Sequence, residues 1–203
     1  YLGADPVYED TSGIADNGLQ IKENVTPDDI AKLINDGNIV AMFNGKAEGG
    51  PRALGNRSIM FDPRRPDGKD FVNRVKGREW FRPFAGSVLE EYAHEWFEMR
   101  TLKSSPFMMY AVNVLPEKIG DIPAITHVDG TCRVQTVSRE DNEAYYDVIA
   151  AFHKLTNVPV IFNTSFNLAG DPLVETLDDA VHTITKSDIS YLYLPHLGWL
   201  IHK

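Results

Sequence analysis

The sequence has little cysteine, no long apolar run and no excess of positive charge. Its 203 residues include one cysteine, Cys132, which excludes a disulfide framework and fits a reducing compartment such as the cytoplasm. No apolar run reaches the roughly 18 residues that a membrane-spanning helix needs, and no signal peptide is visible at the N-terminus. The net charge of −9 argues against a nucleic-acid-binding surface.

The sequence also lacks the usual catalytic signatures. It contains no Walker A order, no Ser-His-Asp order, no zinc-ligand spacing and no clear pair of catalytic carboxylates. No resident metal site is therefore predicted. Reactions that need only neutralisation of charge and positioning of substrates, such as phosphoryl or adenylyl transfer, fit such a chain best.

Positive charge is concentrated in one stretch of this acidic chain. Residues 46–82 hold ten lysines and arginines against five acidic residues, a net charge of +5, whereas the rest of the chain carries −14. A cationic segment inside an acidic protein favours a local anion pocket over a surface for extended polyanions. The alternative is a solvated basic face, which fits Arg64, Arg65 and Lys69.

Helix and strand patterns alternate through most of the chain. The pair Thr26-Pro27 predicts the start of one helix, and Thr176 caps another. The predicted strands are 38–43, 58–61, 84–89, 131–137, 158–162, 191–194 and 198–201. Because some strands follow each other directly, the pattern predicts an α/β layered domain with a mixed sheet over residues 26–203. Residues 1–25 show little periodicity and are predicted to be a linker or an extended lead-in.

Three local predictions complete this outline. Ser138 and Asp141 resemble a capping box at the start of a helix that would bury Tyr145. Residues 107–115 predict a strongly apolar strand, and residues 163–170 predict a polar loop.

The most distinctive stretch is the loop at residues 45–58, which follows a buried strand. Four glycines and one proline fall between positions 45 and 55, and glycine lets a backbone approach a ligand closely. The loop also carries Lys46, Arg52 and Arg57 against one acidic residue, Glu48. This composition indicates a site for phosphate or carboxylate oxygens. The alternative is an ordinary surface turn with solvated charges.

A second cationic segment surrounds an aromatic pair. Lys76 and Arg82 flank Trp80-Phe81 and could hold an anion that the rings shield from water, which would strengthen the electrostatic attraction. In the alternative, the rings belong to the core and the cations extend past them. We interpret Trp80 and Phe81 as core residues and Arg82 as a site residue.

A third segment carries polar residues along a predicted strand. Alternation places Thr131, Arg133 and Gln135 on one face, as in a strand that lines a pocket. His127 and Asp129 precede them but lack a third metal ligand, so His127 is interpreted as a hydrogen-bonding or stacking group.

The fourth segment follows the strand at 158–162. Asn163 and Ser165 begin a run of small polar residues there. The carboxyl end of a strand is where α/β proteins usually contact substrates. The alternative is an Asx or Ser turn that caps the loop.

These segments together resemble one known family. The sequences EGGPRALGNRS (48–58), FRPFA (81–85), HVDGTCRVQT (127–136) and FNTSFN (162–167) resemble motifs that stand in the same order in the NodU/CmcH/TobZ O-carbamoyltransferases, with departures from the family pattern at Gly49 and Cys132. They lie in the C-terminal, YrdC-like domain of that family, and the similarity covers about residues 26–203.

The resemblance implies a fold, an activity and a partner. The fold would be a three-layer YrdC-like arrangement with a twisted mixed β-sheet flanked by helices. The domain would bind carbamoyl phosphate and ATP with Mg²⁺ and form carbamoyl-adenylate. A separate N-terminal domain, absent from this chain, would carry a metal ion such as iron and transfer the carbamoyl group to a hydroxyl acceptor. Residues 1–25 would then be the interdomain linker.

The resemblance also implies roles for individual residues. The residues that would grip carbamoyl phosphate as the catalytic set are Arg52, Lys76, Arg82 and Arg133. The residues that would contribute substrate or nucleotide contacts are Asn163, Ser165, Thr131, His127, Asp129 and Arg57. No membrane and no nucleic-acid partner is expected, and a homodimer is left open. One alternative is a YrdC-like module that binds nucleotide or RNA without chemistry. Another is a structural half that completes a site on the other domain.

Overall fold

A nine-stranded sheet organises the described part of the chain. The computed structural model describes Gly3 and residues 12–203. In chain order the strands are β1 (Gln20–Lys22), β2 (Val40–Phe43), β3 (Arg57–Phe61), β4 (Ala85–Leu89), β5 (Tyr110–Asn113), β6 (Thr131–Val137), β7 (Val160–Ser165), β8 (Tyr191–Leu194) and β9 (Trp199–His202). Their spatial order is β1-β9-β8-β2-β3-β7-β4-β6-β5. The pairs β2–β8 and β4–β6 are parallel and the other pairs are antiparallel, so the sheet is mixed.

Helices pack against the central strands of the sheet. The described residues form α1 (Ser12–Asp16), α2 (Pro27–Asn35), α3 (Gly68–Val75), α4 (Ala93–Trp96), α5 (Glu143–Thr156) and α6 (Leu177–Thr185). Helices α2 and α5 pack against each other, and α5 also contacts β4 and β7. Every residue of β2, β3 and β4 is buried, which requires cover on both sides of the sheet. The predicted α/β class, with helices flanking a mixed sheet, is confirmed.

Two helices begin where their sequence signals placed them. The side chain of Thr26 caps α2, where the main-chain N–H of Thr26 in turn donates to the carboxylate of Asp29 over 3.0 Å. Thr176 and Asp179 form the same reciprocal cap at α6. Such caps satisfy main-chain N–H groups that the first turn of a helix leaves without partners.

The predicted start of α5 is wrong by four residues. Ser138 does bond to Asp141, since its hydroxyl donates to the carboxylate over 2.7 Å, but this contact closes a turn before the helix. The cap is Asn142, whose side-chain oxygen accepts the main-chain N–H of Tyr145 over 3.1 Å. Asn is as good a cap as Ser, so the earlier signal was not decisive.

The other corrections concern where strands begin and end. Within the predicted lead-in, α1 forms and β1 pairs with β9, so residues 12–25 join the folded domain; residues 1, 2 and 4–11 lie outside the described residues. The apolar stretch at 107–115 yields only the short edge strand β5, which pairs with β6 and is largely exposed. Strand β7 continues through Ser165, because Asn163 to Ser165 pair with β3 rather than forming a loop.

The pairing register brings one row of residues to the same face of the sheet. Met60 lies opposite Asn163, Asn163 opposite Ala85, and Ala85 opposite Arg133. Directly opposed residues of neighbouring strands share a face. The row runs across β3, β7, β4 and β6 and forms the base of the site described below.

An aromatic cluster fills the opposite face. Phe162 precedes Asn163 and therefore points the other way. Its ring lies 4.4 Å from that of Phe84 and 6.1 Å from that of Phe61, between centroids. Phe61 in turn packs against Phe71 of α3 at 5.4 Å. This cluster packs the strands whose other face carries the polar residues of the site.

Within the described ranges, none of the helices combines the length and apolarity needed to cross a bilayer.

Candidate active site

Four arginines line a cleft of about 350 Å³. Arg52 comes from the glycine-rich loop, Arg78 and Arg82 from the segment after α3, and Arg133 from β6. Among the described residues that line this cleft, none is acidic. The site therefore gathers positive charge from three distant parts of the chain and suits an anionic ligand.

Neighbouring strands supply the floor of the cleft. Ala85, Arg133 and Asn163 lie in one row across β4, β6 and β7, and Ser165 follows Asn163 on the same face of its strand. The predicted alternation along β6 is confirmed in this respect, because Arg133 faces the cleft while Cys132 is fully buried. Burial raises the pKa of the Cys132 thiol to about 12, so the thiol stays protonated and is a poor nucleophile.

A buried carboxylate shapes the loop that carries Arg52. One oxygen of Glu48 accepts the main-chain N–H groups of Leu54 at 2.7 Å and Asn56 at 2.9 Å, and the other accepts that of Arg57 at 3.0 Å. Burial raises the pKa of Glu48, and these three hydrogen bonds oppose the rise. The loop is thus folded around the Glu48 carboxylate, and its residue Arg52 lines the cleft.

Three of the four guanidinium groups in the cleft keep an N–H without a partner. The Nε atoms of Arg52, Arg78 and Arg133 are buried, and no acceptor for them exists in the described part of the chain. Burial lowers the pKa of Arg78, with a smaller contribution from the charge of Arg82. Burial likewise lowers the pKa of Arg133, helped by the charge of Arg52. A bound anion would relieve both the missing hydrogen bonds and the repulsion.

Arg82 stands at the boundary between this cleft and a second hollow of about 510 Å³. Arg78, Arg82 and Ser165 line both cavities. Arg82 is half-exposed and pairs with Glu79 over 2.7 Å. Glu79 lines the second hollow, so it compensates part of the positive charge that the shared arginines bring to the two cavities.

Lys76 belongs to the second hollow. Its side chain is buried, and its ammonium donates to the main-chain and side-chain oxygens of Ser165 and to Oδ1 of Asn167, the last over 3.1 Å. Burial lowers the pKa of Lys76 to about 7, with a further contribution from the charge of Arg78. Lys76 therefore holds Ser165 in position through hydrogen bonds. Because its pKa is about 7, its charge can change near neutral pH.

The aromatic pair between the cations is not in the core. Trp80 is 71% exposed and Phe81 is 62% exposed, and their rings contact each other edge to face at 6.0 Å. The prediction that they are core residues is wrong. Helix α3 ends at Val75, and Gly77, with a φ of +65°, turns the chain onto the surface before the rings are reached.

Arg57 lies in the interior and does not reach the cleft. Its fully buried guanidinium donates to the main-chain oxygens of Asn44 at 2.8 Å, Gly45 at 3.2 Å and Glu175 at 3.1 Å. It also stacks on the ring of Phe43 at 3.7 Å. This guanidinium ties the loop to the segment before α6, a structural task that its sequence context did not reveal.

The residues at the start of β6 also lie outside the cleft lining. Nε2 of His127 donates to the main-chain oxygen of Phe84 over 2.9 Å, since a carbonyl can only accept. Its Nδ1 lies 3.0 Å from the hydroxyl of Thr131, which donates to Asp129 over 2.7 Å. The hydrogen-bonding role expected of His127 is present, and it secures the chain next to the cleft. Within the described residues no cluster of three or more His, Cys, Asp or Glu side chains could hold a metal ion.

Sequence reasoning missed two residues of this site. Arg78 lines both cavities, and its position between Lys76 and Arg82 was the available signal. Glu48 was counted only as a compensating charge, although a lone acid inside a cationic glycine-rich loop is a candidate for its internal anchor.

Comparison with known proteins supplies the family. Residues 31–202 match the family described as carbamoyltransferase C-terminus. This chain belongs to the carbamoyltransferase C-terminal family. Nodulation protein NolNO of Sinorhizobium fredii is 49% identical over 175 residues, which are 85% of this chain and 25% of that protein. Nodulation protein NolO of Bradyrhizobium diazoefficiens is 48% identical over 171 residues, which are 81% of this chain and 31% of that protein.

Solved structures share the fold at low sequence identity. Full-length HypF in its phosphate- and nucleotide-bound form matches with a TM-score of 0.55 and 16% identity, over 84% of this chain and 21% of that one. HypF of T. kodakarensis matches with a TM-score of 0.55 and 15% identity, over 90% of this chain and 22% of that one. The chain thus spans about a fifth to a third of the proteins it matches. Family membership associates it with the C-terminal part of carbamoyltransferases.

Proposed function

We propose that this carbamoyltransferase C-terminal domain binds carbamoyl phosphate and ATP and forms carbamoyl-adenylate. The observation that carries the proposal is the cleft with four arginines and no acidic lining residue among those described, in which three buried Nε–H groups await acceptors. A phosphate group offers three acceptor oxygens and up to two negative charges, which match such a set of donors.

The two adjoining hollows suit two anionic substrates. Carbamoyl phosphate would occupy the smaller cleft, and the nucleotide would occupy the larger hollow beside Lys76. Because Arg78, Arg82 and Ser165 line both, the reacting groups would meet at this boundary. HypF, which shares the fold, has been crystallised with phosphate and nucleotide. Both proposed substrates are cytoplasmic metabolites, so the cytoplasm is the proposed location.

The proposed reaction balances without a redox step. Water cleaves carbamoyl phosphate to carbamate and phosphate. A carbamate oxygen then forms a bond to the α-phosphorus of ATP, and the bond from that phosphorus to the bridging oxygen breaks, releasing pyrophosphate. Guanidinium groups stabilise the charge on the transferring and leaving oxygens and position the reactants, which is the main requirement of phosphoryl chemistry.

Mg²⁺ would be held chiefly by the nucleotide itself. Mg²⁺ in ATP-dependent enzymes is usually bound by substrate phosphates and one or two carboxylates. Glu79 is the one carboxylate among the described residues that line the larger hollow, and it is already paired with Arg82. The metal would neutralise phosphate charge, while the protein contributes the arginines.

The transfer to a hydroxyl acceptor is assigned to another domain. The matched relatives are roughly three times as long as this chain, so room exists for a metal-binding N-terminal transferase domain. The acceptor would be bound mainly there.

Release of pyrophosphate by the isolated chain tests the proposal. We expect release that requires both ATP and carbamoyl phosphate, and we expect Arg133→Met to abolish it. Arg139→Met is the matched control, because Arg139 forms surface ion pairs with Glu143 and Asp147 away from the cleft. Failure of the wild-type chain to bind carbamoyl phosphate or to release pyrophosphate would overturn the proposal. Salt-dependent RNA binding without release would instead favour a non-catalytic module.

A further inference from the structure

The side-chain amide of Asn163 is only half satisfied. Its nitrogen donates to the main-chain oxygen of Ala53 at 3.1 Å, to the hydroxyl of Ser87 at 2.9 Å and to Oε1 of Gln135 at 3.0 Å. Its oxygen Oδ1 is buried, yet no donor to it exists in the part of the chain that the structure describes. Asn163 is only 1% exposed, so this is a buried acceptor without a partner.

The surrounding network fixes which end of the amide is nitrogen. The oxygen of Ala53 can only accept, so the atom that faces it must be a donor. Gln135 donates through Nε2 to the main-chain oxygen of Leu54 at 2.9 Å, which leaves its Oε1 as an acceptor. Ser87 donates to that same Oε1 at 2.7 Å and keeps lone pairs for Asn163. If the Asn163 amide were flipped, its oxygen would face the acceptor oxygens of Ala53 and Gln135.

Asn163 is itself one of the residues that line the cleft, together with Arg133 and Ser165. Ser87 and Gln135 lie two residues further along their strands, opposite Ile161, and they do not line the cleft. They hold the amide nitrogen together with the main-chain oxygen of Ala53. Oδ1 is therefore the end of this cleft-lining side chain that has no partner among the described residues.

Oδ1 of Asn163 can be satisfied only by a hydrogen-bond donor on the ligand. The arginines of the cleft supply only donors, which suit phosphate oxygens. Oδ1 is an acceptor and would gain nothing from a phosphate or a carboxylate. Carbamoyl phosphate, the substrate class of the proposed function on which this step rests, carries an amino group. We infer that Asn163 is a specificity-determining residue whose Oδ1 accepts an N–H of the carbamoyl amino group.

This contact would separate carbamoyl from acyl phosphates. Acetyl phosphate presents a methyl group in place of the amino group, so Oδ1 would remain buried without a partner. A site built to hydrogen-bond a polar group rejects the analogue that lacks it, because its own polar atom is then left unsatisfied. The expected preference for the amino compound is about tenfold or more.

Two stable phosphonates make the comparison direct. Phosphonoacetamide and acetonylphosphonate differ only in an amino group against a methyl group, and neither hydrolyses as carbamoyl phosphate does. Calorimetric titration of the wild-type chain with each should give a dissociation constant about tenfold or more lower for the amide. Equal affinities for the two would overturn the inference while leaving the anion cleft and the proposed function standing. Failure to bind either compound would count against the proposed function itself.

A pair of variants identifies the responsible atom. Asn163→Ala removes the acceptor and should bring the ratio of the two dissociation constants close to one. Ser87→Ala disturbs the same network but leaves Oδ1 in place, so it should keep the wild-type ratio. Loss of the preference in both variants, or in neither, would contradict the assignment to Asn163. If Asn163→Ala does not fold, as judged by circular dichroism, the wild-type ratio still decides the inference.

Discussion

Oε1 of Glu48 accepts the main-chain N–H of Leu54 over 2.7 Å, across the tip of the glycine-rich loop. The main-chain oxygens of Ala53 and Leu54 face the sheet, where they accept the side-chain amides of Asn163 and Gln135. One buried carboxylate therefore holds the loop against the strands that form the cleft floor. The position of Arg52 and the orientation of the Asn163 amide both depend on it.

Replacing this carboxylate by its neutral isostere should loosen the loop. In Glu48→Gln the nitrogen must face either a main-chain N–H of Arg57 or those of Leu54 and Asn56, so at least one donor loses its acceptor. Each buried group left unsatisfied costs about 1–3 kcal/mol. We expect urea unfolding to show a loss of that size, together with weaker binding of phosphonoacetamide.

The control for this substitution is Glu143→Gln. Glu143 is largely exposed, and its contact with Arg139 is a surface ion pair. Such pairs contribute little to stability, so this variant should unfold close to the wild-type midpoint. Equal midpoints for Glu48→Gln and wild type would mean that the loop does not depend on its internal anion.

Much of the fold could be predicted because local signals and tertiary structure agree. The caps at Thr26 and Thr176 are decided by neighbours within four residues, and the buried run at β2 is apolar throughout. Alternation along β6 placed Arg133 in the cleft. The wrong start of α5 arose where two good caps, Ser138 and Asn142, stood four residues apart and only packing could choose between them.

The rest depends on contacts between distant parts of the chain. Arg57 and Arg52 have the same local composition, yet one is buried among main-chain oxygens and the other lines the cleft. No local pattern distinguishes them, because the acceptors of Arg57 include Glu175, more than a hundred positions away. The unpartnered oxygen of Asn163 likewise results from four segments that meet only in the folded sheet.

The backbone of the glycine-rich loop should not tolerate a side chain at Gly55. Its φ is +114°, and an added Cβ would lie 2.4 Å from a ring carbon of Tyr145 and 2.9 Å from Nδ2 of Asn142. Strain of this kind costs on the order of 1–3 kcal/mol before the clash is counted. Gly55→Ala should lower the free energy of unfolding by at least that amount in urea titrations. Gly120→Ala, where an added Cβ meets nothing within 4 Å, should leave stability unchanged or slightly higher.

Removing the acid beside Arg82 should strengthen anion binding. Glu79 pairs with Arg82 over 2.7 Å at the boundary between the two hollows, so Glu79→Gln frees a guanidinium for the ligand. Both side chains are half-exposed, so we expect a gain in affinity for phosphonoacetamide of only roughly two- to fivefold at low salt. The gain should shrink as salt is added. Glu98→Gln, which frees the surface residue Arg100 instead, should show no gain; an equal gain there would point to net charge alone.

Burial of Lys76 should make the chain more stable as the pH rises above neutral. Its pKa is about 7 in the folded protein, against an ordinary value of 10.5. Between those values the unfolded chain binds the proton and the folded chain does not, so raising the pH favours folding. This one group contributes at most about 1.4 kcal/mol per pH unit. The wild-type free energy of unfolding should therefore rise between pH 7.5 and 9 relative to Lys76→Met, and parallel profiles would contradict the shift.

Binding of nucleotide should reverse that charge state. ATP in the larger hollow brings negative charge to Lys76, which raises its pKa and draws in a proton. At pH 8.5 the phosphates of ATP are already ionised, so any proton taken up on binding must go to the protein. Calorimetric titration with MgATP, without carbamoyl phosphate, in two buffers of different ionisation enthalpy should show uptake approaching one proton per ATP, and affinity should fall as pH rises. Lys76→Met should take up none, whereas Lys154→Met, at an exposed lysine, should match wild type. Binding without uptake in the wild-type chain would show that ATP does not meet Lys76.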